Sequence, residues 1–282
     1  MRRAQIYYDM HVHSTSSPDA SLSEVSLAHR AVKEGLAGVG FVVHLDFHPS
    51  DFCYGSFDSV EYETAFRKAA RETAGSLILM KGVELGEPLR FRSEITVALT
   101  ESRFDFLMGA LHWIEDRFLL DESAYASTDP LELVEEYLRR TLEIVKNCEL
   151  DILAHLGIFR RGLAKAGIST GFDETILWPV LLERILVTMI ERNIALEVNT
   201  SGLRRLESVT YPNHAVLRLY RTLGGELVTT GSDTHRDPWV FNALPQAAEL
   251  LLETGFTHTV RFTERERIEC PLRSCRPDRT TG

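Results

Sequence analysis

The sequence predicts an α/β protein built on a parallel sheet with helical crossovers, closed into a barrel in preference to an open doubly wound sheet. Three observations carry that prediction. Seven short apolar runs punctuate the chain, amphipathic stretches of helical length separate most of them, and no Gly-x-Gly-x-x-Gly or Walker-type loop follows any run. Continuous apolar runs suit strands covered on both faces, and their alternation with helices calls for right-handed crossovers. Without a phosphate-cradling glycine loop, a nucleotide-binding open sheet loses its main support.

The runs are IYYDM, AGVGFVV, SLILMKGV, DFLMGAL, DILAHL, IALEVN and ELVTTG. After the first, SLSEVSLAHRAVKEG offers Ser21 and Glu24 as a capping box and stops at Gly35. DPLELVEEYLRRTLEIVKN places Asp129 as N-cap and Pro130 at the first helical position. DETILWPVLLERILVTMIERN continues the pattern with Pro179 inside its first turns, and NHAVLRLYRTLGG ends on glycines suited to a C-cap. No solenoid-period repeat or low-complexity linker interrupts the chain, so one domain is expected over residues 1–282, with 270–282 a loosely ordered tail.

With 44% hydrophobic and 26% charged residues among 282, a sizeable core is expected. The net charge of −10 and the lack of a Lys/Arg block argue against nucleic acid as a partner. No stretch reads as a signal peptide or approaches the roughly 20 apolar residues of a membrane span, which makes a cytoplasmic protein without a membrane partner the expectation. Cys53, Cys148, Cys270 and Cys275 lack the spacing of a zinc ribbon and the density of a disulfide scaffold, and are read as reduced thiols.

In DMHVHSTSSPDA, His11 and His13 stand two residues apart and so share one face of a strand. Chemistry in such barrels gathers at the C-terminal rim of the strands. There the second run delivers His44, the third Glu84, the fourth His112, the fifth His155, the sixth Glu197 and Asn199, and the seventh Asp233 and His235. His29, His214 and His258 are left as ordinary helix or strand-end residues, and His48 has no obvious place in the set. Imidazoles mixed with carboxylates suit zinc, manganese or iron, and one metal takes about four to six ligands. His11, His13, Asp19, His44, Glu84, His112, His155, Asp233 and His235 therefore supply two or three divalent transition metals, with Glu84 placed to bridge two.

In order, DMHVHSTSSPDA, GFVVH, GVELG, GALHW, LAHLG and GSDTH resemble the signature elements of the PHP (polymerase and histidinol phosphatase) superfamily, across roughly residues 7 to 245. HLDFHPSDFCYGSFD, LAHLGIFRR, EVNTSGLRR and GGELVTTGSDTHRDPWV resemble its histidinol-phosphate phosphatases. The resemblance implies a distorted seven-stranded (β/α) barrel of TIM-barrel type with a trinuclear metal site at the C-terminal rim. It implies His11, His13, Glu84 and Asp233 on the first metal, Glu84, His112 and His155 on the second, and Asp19, His44 and His235 on the third. The chain departs from the family at the end of the second strand, where Val42 and Val43 replace the usual Thr-Asp before His44. A polar neighbour that could orient His44 is missing there, with Asp46 or His48 as substitutes.

The implied activity is a metal-dependent phosphomonoesterase: hydrolysis of L-histidinol phosphate to L-histidinol and phosphate, in histidine biosynthesis, by a hydroxide between the metals that Glu84 bridges. The alternative is a PHP-family phosphoesterase acting on nucleotides or other small phosphate esters. An amidohydrolase would commonly use a bridging lysine where GALHW has none, and an inactive binding module would have lost ligands. Glu84, Asp233 and Arg160 are the expected catalytic residues. Arg160, Arg161, Arg204 and Arg205 are candidates for phosphate, with Arg160 and Arg204 ranked first, because a guanidinium fork matches phosphate oxygens. Glu115, Asp46 and Glu87 are candidates for the histidinol amine and imidazole, and Asp233, a bound water or His48 for protonating the leaving alkoxide. The expected partner is a small phosphate ester, with the chain a monomer or homodimer.

Overall fold

All eight residues of the GVGFVVHL segment are buried, as a strand covered on both faces requires, and this segment sits inside a parallel sheet. A computed structural model describes residues 7–100 and 102–272. Its strands are β1 (Tyr8–Val12), β2 (Gly38–Leu45), β3 (Ile78–Gly86), β4 (Phe106–Ala110), β5 (Trp113–Ile114), β6 (Arg117–Phe118), β7 (Ile152–Leu153), β8 (Ala195–Asn199), β9 (Val228–Gly231), β10 (His258–Thr263) and β11 (Glu266–Pro271). The seven expected runs become β1, β2, β3, β4, β7, β8 and β9, paired in parallel in that order. The last strand returns to the first: Asp233 N donates to His11 O and His13 N to Thr234 O, both at 2.9 Å. Of the two architectures, the nearly closed barrel is the one adopted.

The helices are α1 (Glu24–Glu34), α2 (Ser59–Glu72), α3 (Arg92–Leu99), α4 (Pro130–Asn147), α5 (Arg160–Lys165), α6 (Glu174–Leu177), α7 (Pro179–Glu191), α8 (His214–Thr222) and α9 (Leu244–Thr254). Asp129 caps α4 and Pro130 opens it, as expected. The cap of α1 is Ser23, not Ser21, and Glu24 makes no capping box: its carboxylate is turned inward, accepting from Ser14 Oγ at 2.6 Å and from Ser16 Oγ. Gly35 ends α1 in the left-handed conformation. Pro179 does not sit inside one continuous helix; it is the first residue of α7, because the residue before a proline is pushed out of the helical region, and Trp178 (φ −131°, ψ 53°) separates α6 from α7.

Two apolar layers fill the structure. Outward-facing residues such as Val39, Phe41, Val43 and Leu107 pack against the helices. Met10, Val42, Met80, Phe106, Met108, Ile152 and Ala195 fill the barrel, and Val260 and Phe262 of β10 pack onto them. Each fully buried side chain of this size contributes about 1.5–3 kcal/mol of transfer free energy. The plug from β10 corrects the expected tail, since Cys270 and Pro271 end β11 in a paired hairpin. Its turn places Glu264 (φ 51°) and Arg265 (φ 68°) in left-handed conformations usually left to Asn-Gly, so the sequence carried no hairpin signal. Backbone donation from Arg265 to Asp105 O (3.0 Å) and an Arg265–Asp151 ion pair hold the turn. Residues 273–282 of the expected tail, Cys275 among them, lie outside the described residues.

Apolar residues occupy the barrel interior only part-way up, and from Glu84 onward the rim is polar. In β1 the register with β2 shifts between Asp9 and Val12, so that Met10 fills the barrel while the neighbouring His11 reaches the rim cluster. Re-aiming one side chain is what such an irregularity does.

Candidate metal centre

Glu84, at the end of β3, is buried and lies at the centre of the rim. Its Oε1 is 2.7 Å from His155 Nε2 and 3.6 Å from His112 Nε2. Its Oε2 is 3.5 Å from His11 Nε2, 3.4 Å from His13 Nε2 and 3.3 Å from His44 Nδ1. One carboxylate therefore touches five imidazoles delivered by four strands. Asp233 Oδ1 stands 3.9 Å from His11 Nε2 and 3.3 Å from His235 Nδ1. Asp19 Oδ2 stands 2.9 Å from His235 Nε2 and 3.5 Å from His44 Nε2. All nine expected ligand residues meet in one cluster.

The donor set fits cations, and the hydrogen bonding gives the reason. His235 Nδ1 donates to Asp233 O at 3.0 Å, so in the neutral ring Nε2 carries a lone pair, and that lone pair faces the Asp19 carboxylate. Likewise His11 Nδ1 donates to Glu197 Oε1 at 2.8 Å, leaving Nε2 to face His13 Nε2 at 3.0 Å. Facing lone pairs are stable only with a proton or a metal between them. Nitrogen ligands at a tetrahedral zinc lie roughly 3.3 Å apart, which matches these separations. Buried polar atoms without hydrogen-bond partners among the described residues, including His13 Nδ1, Asp19 Oδ1 and Asp46 Oδ1, accompany the cluster.

Electrostatics agrees. Burial opposes charge on Glu84, but the surrounding histidines, His11 foremost, hold its carboxyl well below the usual range. Burial opposes charge on His11 too, yet Glu197 and Glu84 hold its pKa well above the ordinary value. His13, buried beside His44 and His235, is pushed down to about 3 and keeps its lone pair. Without metal, protons on some rings balance the carboxylates.

Two backbone features fix the cluster. His155 (φ 32°) and Asp233 (φ 53°) both adopt the left-handed region directly after their strands, a strained conformation typical of functional positions. Glu197, noted in the sequence without a role, orients His11 and also accepts from the backbone N–H of His155 at 2.7 Å. The site needs Gly231 for this, since a Cβ there would lie 2.0 Å from Glu197 Oε1. Asp46 Oδ2, 3.0 Å from His44 Nδ1, takes the place of the polar neighbour missing at Val43.

A cavity of about 360 Å³ opens onto the cluster, with Asp51, Trp113, Phe118, Arg161 and Arg205 in its wall. Arg161 reaches Ser201 Oγ at 3.2 Å and Asp233 Oδ2 at 3.4 Å, and its buried Nε has no hydrogen-bond partner among the described residues. The two arginines ranked first in the sequence are placed elsewhere. Arg160 is buried against Glu174 (2.6 Å) with bonds to Thr170 O and Phe172 O, so its guanidinium is consumed by the fold. Arg204 donates to Ser232 O (2.7 Å) and Asp233 O (2.8 Å) and braces the loop that carries Asp233.

His48 and Glu115 are also not brought to the cavity. His48 stacks on Trp113 at 4.1 Å and donates from Nε2 to Glu115 O at 2.8 Å, which spends the ring on holding the β5–β6 hairpin. The Glu115 side chain is exposed and pairs with Arg140 at 2.8 Å. Glu87 lies beneath the rim, accepting from His112 N and Trp113 N at 2.7 and 3.0 Å, and burial pushes it up to about 8. Asp51, which the sequence reading passed over, accepts from Trp113 Nε1 at 2.7 Å and does line the cavity. A larger concavity, about 1210 Å³, lies by Glu63, Lys81 and Arg265, away from any cluster of metal-type ligands among the described residues. Lys81 and Arg265 are paired there with Glu63 and Asp151, so the chemistry is assigned to the smaller cavity.

Comparison with known proteins places this geometry. The chain is 26% identical over 250 residues to a probable histidinol-phosphatase of Thermotoga maritima, covering 89% of this chain and 93% of that protein. It is also 26% identical over 257 residues to the histidinol-phosphatase of Lactococcus lactis subsp. lactis, covering 90% and 94%. A crystal structure of histidinol phosphate phosphatase from Lactococcus lactis, complexed with zinc, L-histidinol and phosphate, is similar with a TM-score of 0.80 at 25% identity, covering 94% of this chain and 99% of that one. The PHP domain profile matches residues 9–201. With its parallel barrel and its rim of histidines and carboxylates, the chain belongs to the PHP domain family.

Proposed function

We propose that this protein is a metal-dependent phosphomonoesterase that hydrolyses L-histidinol phosphate to L-histidinol and phosphate. The likeness to histidinol-phosphatases over about nine-tenths of the chain supports the substrate. Within this chain, the observation that carries the phosphoryl chemistry is Arg161, whose unpartnered Nε is buried in a cavity wall beside the ligand cluster.

Two or three ions of zinc, manganese or iron are part of this reading. His11, His13, Glu84 and Asp233 would hold one, Glu84, His112 and His155 a second, and Asp19, His44 and His235 a third. Bound there, such ions supply Lewis acidity, which neutralises charge on the phosphoryl group and makes water acidic enough to attack near neutral pH.

The chain's own groups do the rest. Arg161 and Arg205 take the phosphate oxygens, and their mutual repulsion is relieved when an anion lies between them. Burial, with the neighbouring Arg161 charge, already lowers the Arg205 pKa from its ordinary value. Trp113 and Phe118 wall the site and give an imidazole a flat apolar surface, while the Asp51 carboxylate faces the cationic amine. Phosphate release by the zinc- or manganese-loaded protein tests the reading. A kcat/KM for L-histidinol phosphate about a hundredfold or more above those for sugar phosphates and nucleotides is expected, a gap of about 2.7 kcal/mol. A flat profile overturns the substrate.

A further inference from the structure

The segment between β2 and α2 brings a thiol to the rim. Cys53 is buried, and its Sγ lies within 4.8 Å of ligand atoms of both Asp19 and His44. Hydrogen bonds within its own loop hold the position. Cys53 N donates to Asp51 Oδ1 at 2.7 Å, Ser56 Oγ donates to Cys53 O at 2.8 Å, Gly55 N donates to Asp46 O at 3.1 Å, and Tyr54 N to Asp51 O at 3.2 Å. Among its neighbours, His44 turns Nδ1 to Asp46 Oδ2 at 3.0 Å and Nε2 to Asp19 Oδ2 at 3.5 Å, while Asp19 Oδ1 is buried with no hydrogen-bond partner among the described residues.

We propose that Cys53 is a metal ligand, adding a thiolate to Asp19, His44 and His235 at the third site. Three ligands leave a tetrahedral ion one position short, and Sγ is a further ligand-type atom grouped with both Asp19 and His44. On binding, the S–H bond breaks, the proton leaves to solvent and the sulfur pair forms the bond to the metal. Imidazole and carboxylate alone accept manganese, iron or zinc with little preference, whereas a thiolate favours the softer zinc and cobalt over manganese. The third site thus differs in metal preference from the other two. The inference rests on reading the rim as a metal centre and is independent of which phosphate ester is hydrolysed.

Cobalt(II) substitution tests it, because a cobalt–thiolate bond gives a strong charge-transfer absorption in the near ultraviolet that oxygen and nitrogen ligands do not. The full-length protein is stripped of metal, reloaded with cobalt, counted for bound metal and assayed for phosphate release on the same sample. The expected result is this band in the wild type, appearing with the last equivalent bound, and its loss in Cys53→Ser. After equal exposure to a chelator, Cys53→Ser should also retain one metal fewer. A fully loaded wild-type protein without the band overturns the proposal whatever the variant does, and so does a band that survives in Cys53→Ser. If phosphate release persists in that case, the hydrolase reading stands and only the thiolate is lost; a protein that binds no cobalt refutes both.

Discussion

His11 and Glu197 form a directed pair, with Nδ1 donating to Oε1 at 2.8 Å, and the pairing leaves the opposite ring nitrogen turned toward Glu84 and Asp233. The same carboxylate holds the backbone of His155 at 2.7 Å. One buried acid thus positions two candidate ligands without being one of them. Partners of this kind typically govern 10- to 100-fold in metal affinity. Glu197→Gln should weaken metal retention by about that factor in chelator competition. Unchanged affinity would show that strand geometry alone orients His11.

Glu84 makes the larger contribution, since its two oxygens contact five imidazoles. Glu84→Ala should remove at least one metal, seen by elemental analysis. It should also lower kcat by more than the roughly hundredfold expected for a ligand's partner. A variant with full metal content and wild-type turnover would exclude Glu84 as the bridge.

Arg160 and Arg161 are neighbours with opposite fates. Arg161→Ala should lower kcat/KM for the phosphate ester by roughly 10- to 150-fold, the value of a charge-assisted bond of about 1.5–3 kcal/mol, with metal content kept. Arg160→Ala should instead lower stability by about 3–5 kcal/mol in denaturant unfolding, because Glu174 is left buried without its cation. The reverse pattern would return Arg160 to the site.

Glu87 gives a pH signature. Burial raises its folded pKa to about 8, above the ordinary value of 4.5, so the folded chain holds a proton that the unfolded chain releases. That stabilisation is fully present below about 4.5 and is lost as pH rises through about 8. Glu87→Gln keeps the acceptor for His112 N and Trp113 N and removes the titration. The metal-free variant should lose less stability than the wild type between those limits. Parallel stability–pH curves would contradict the assignment.

The fold was legible because its strands are continuous apolar runs, and each ends in a metal-type residue. The nine candidate ligands followed from that rim placement and from the family resemblance, and the structure gathers their side chains in one cluster. What the sequence hid was direction. Arg160 and Arg161 are adjacent, and only the backbone of α5 decides which guanidinium turns to Glu174 and which to Asp233. His48 had no obvious place among the ligands but was a candidate proton donor, a part that stacking on Trp113 takes from it. The β10–β11 hairpin was missed because its turn is Glu264–Arg265, residues that do not announce left-handed backbone. Asp51 and Cys53 lie in a loop without periodicity, where spacing conveys nothing about what a side chain faces.

The central claim is that the rim cluster is a metal centre that hydrolyses a phosphate ester, and a metal titration tests it most directly. Metal-free protein is supplied with zinc or manganese in steps, while bound metal and phosphate release from L-histidinol phosphate are measured on the same samples. The account predicts negligible turnover without metal and activity that rises with the second equivalent bound. Turnover by the metal-free protein at the loaded rate, or none from the fully loaded protein on any phosphomonoester, would contradict it.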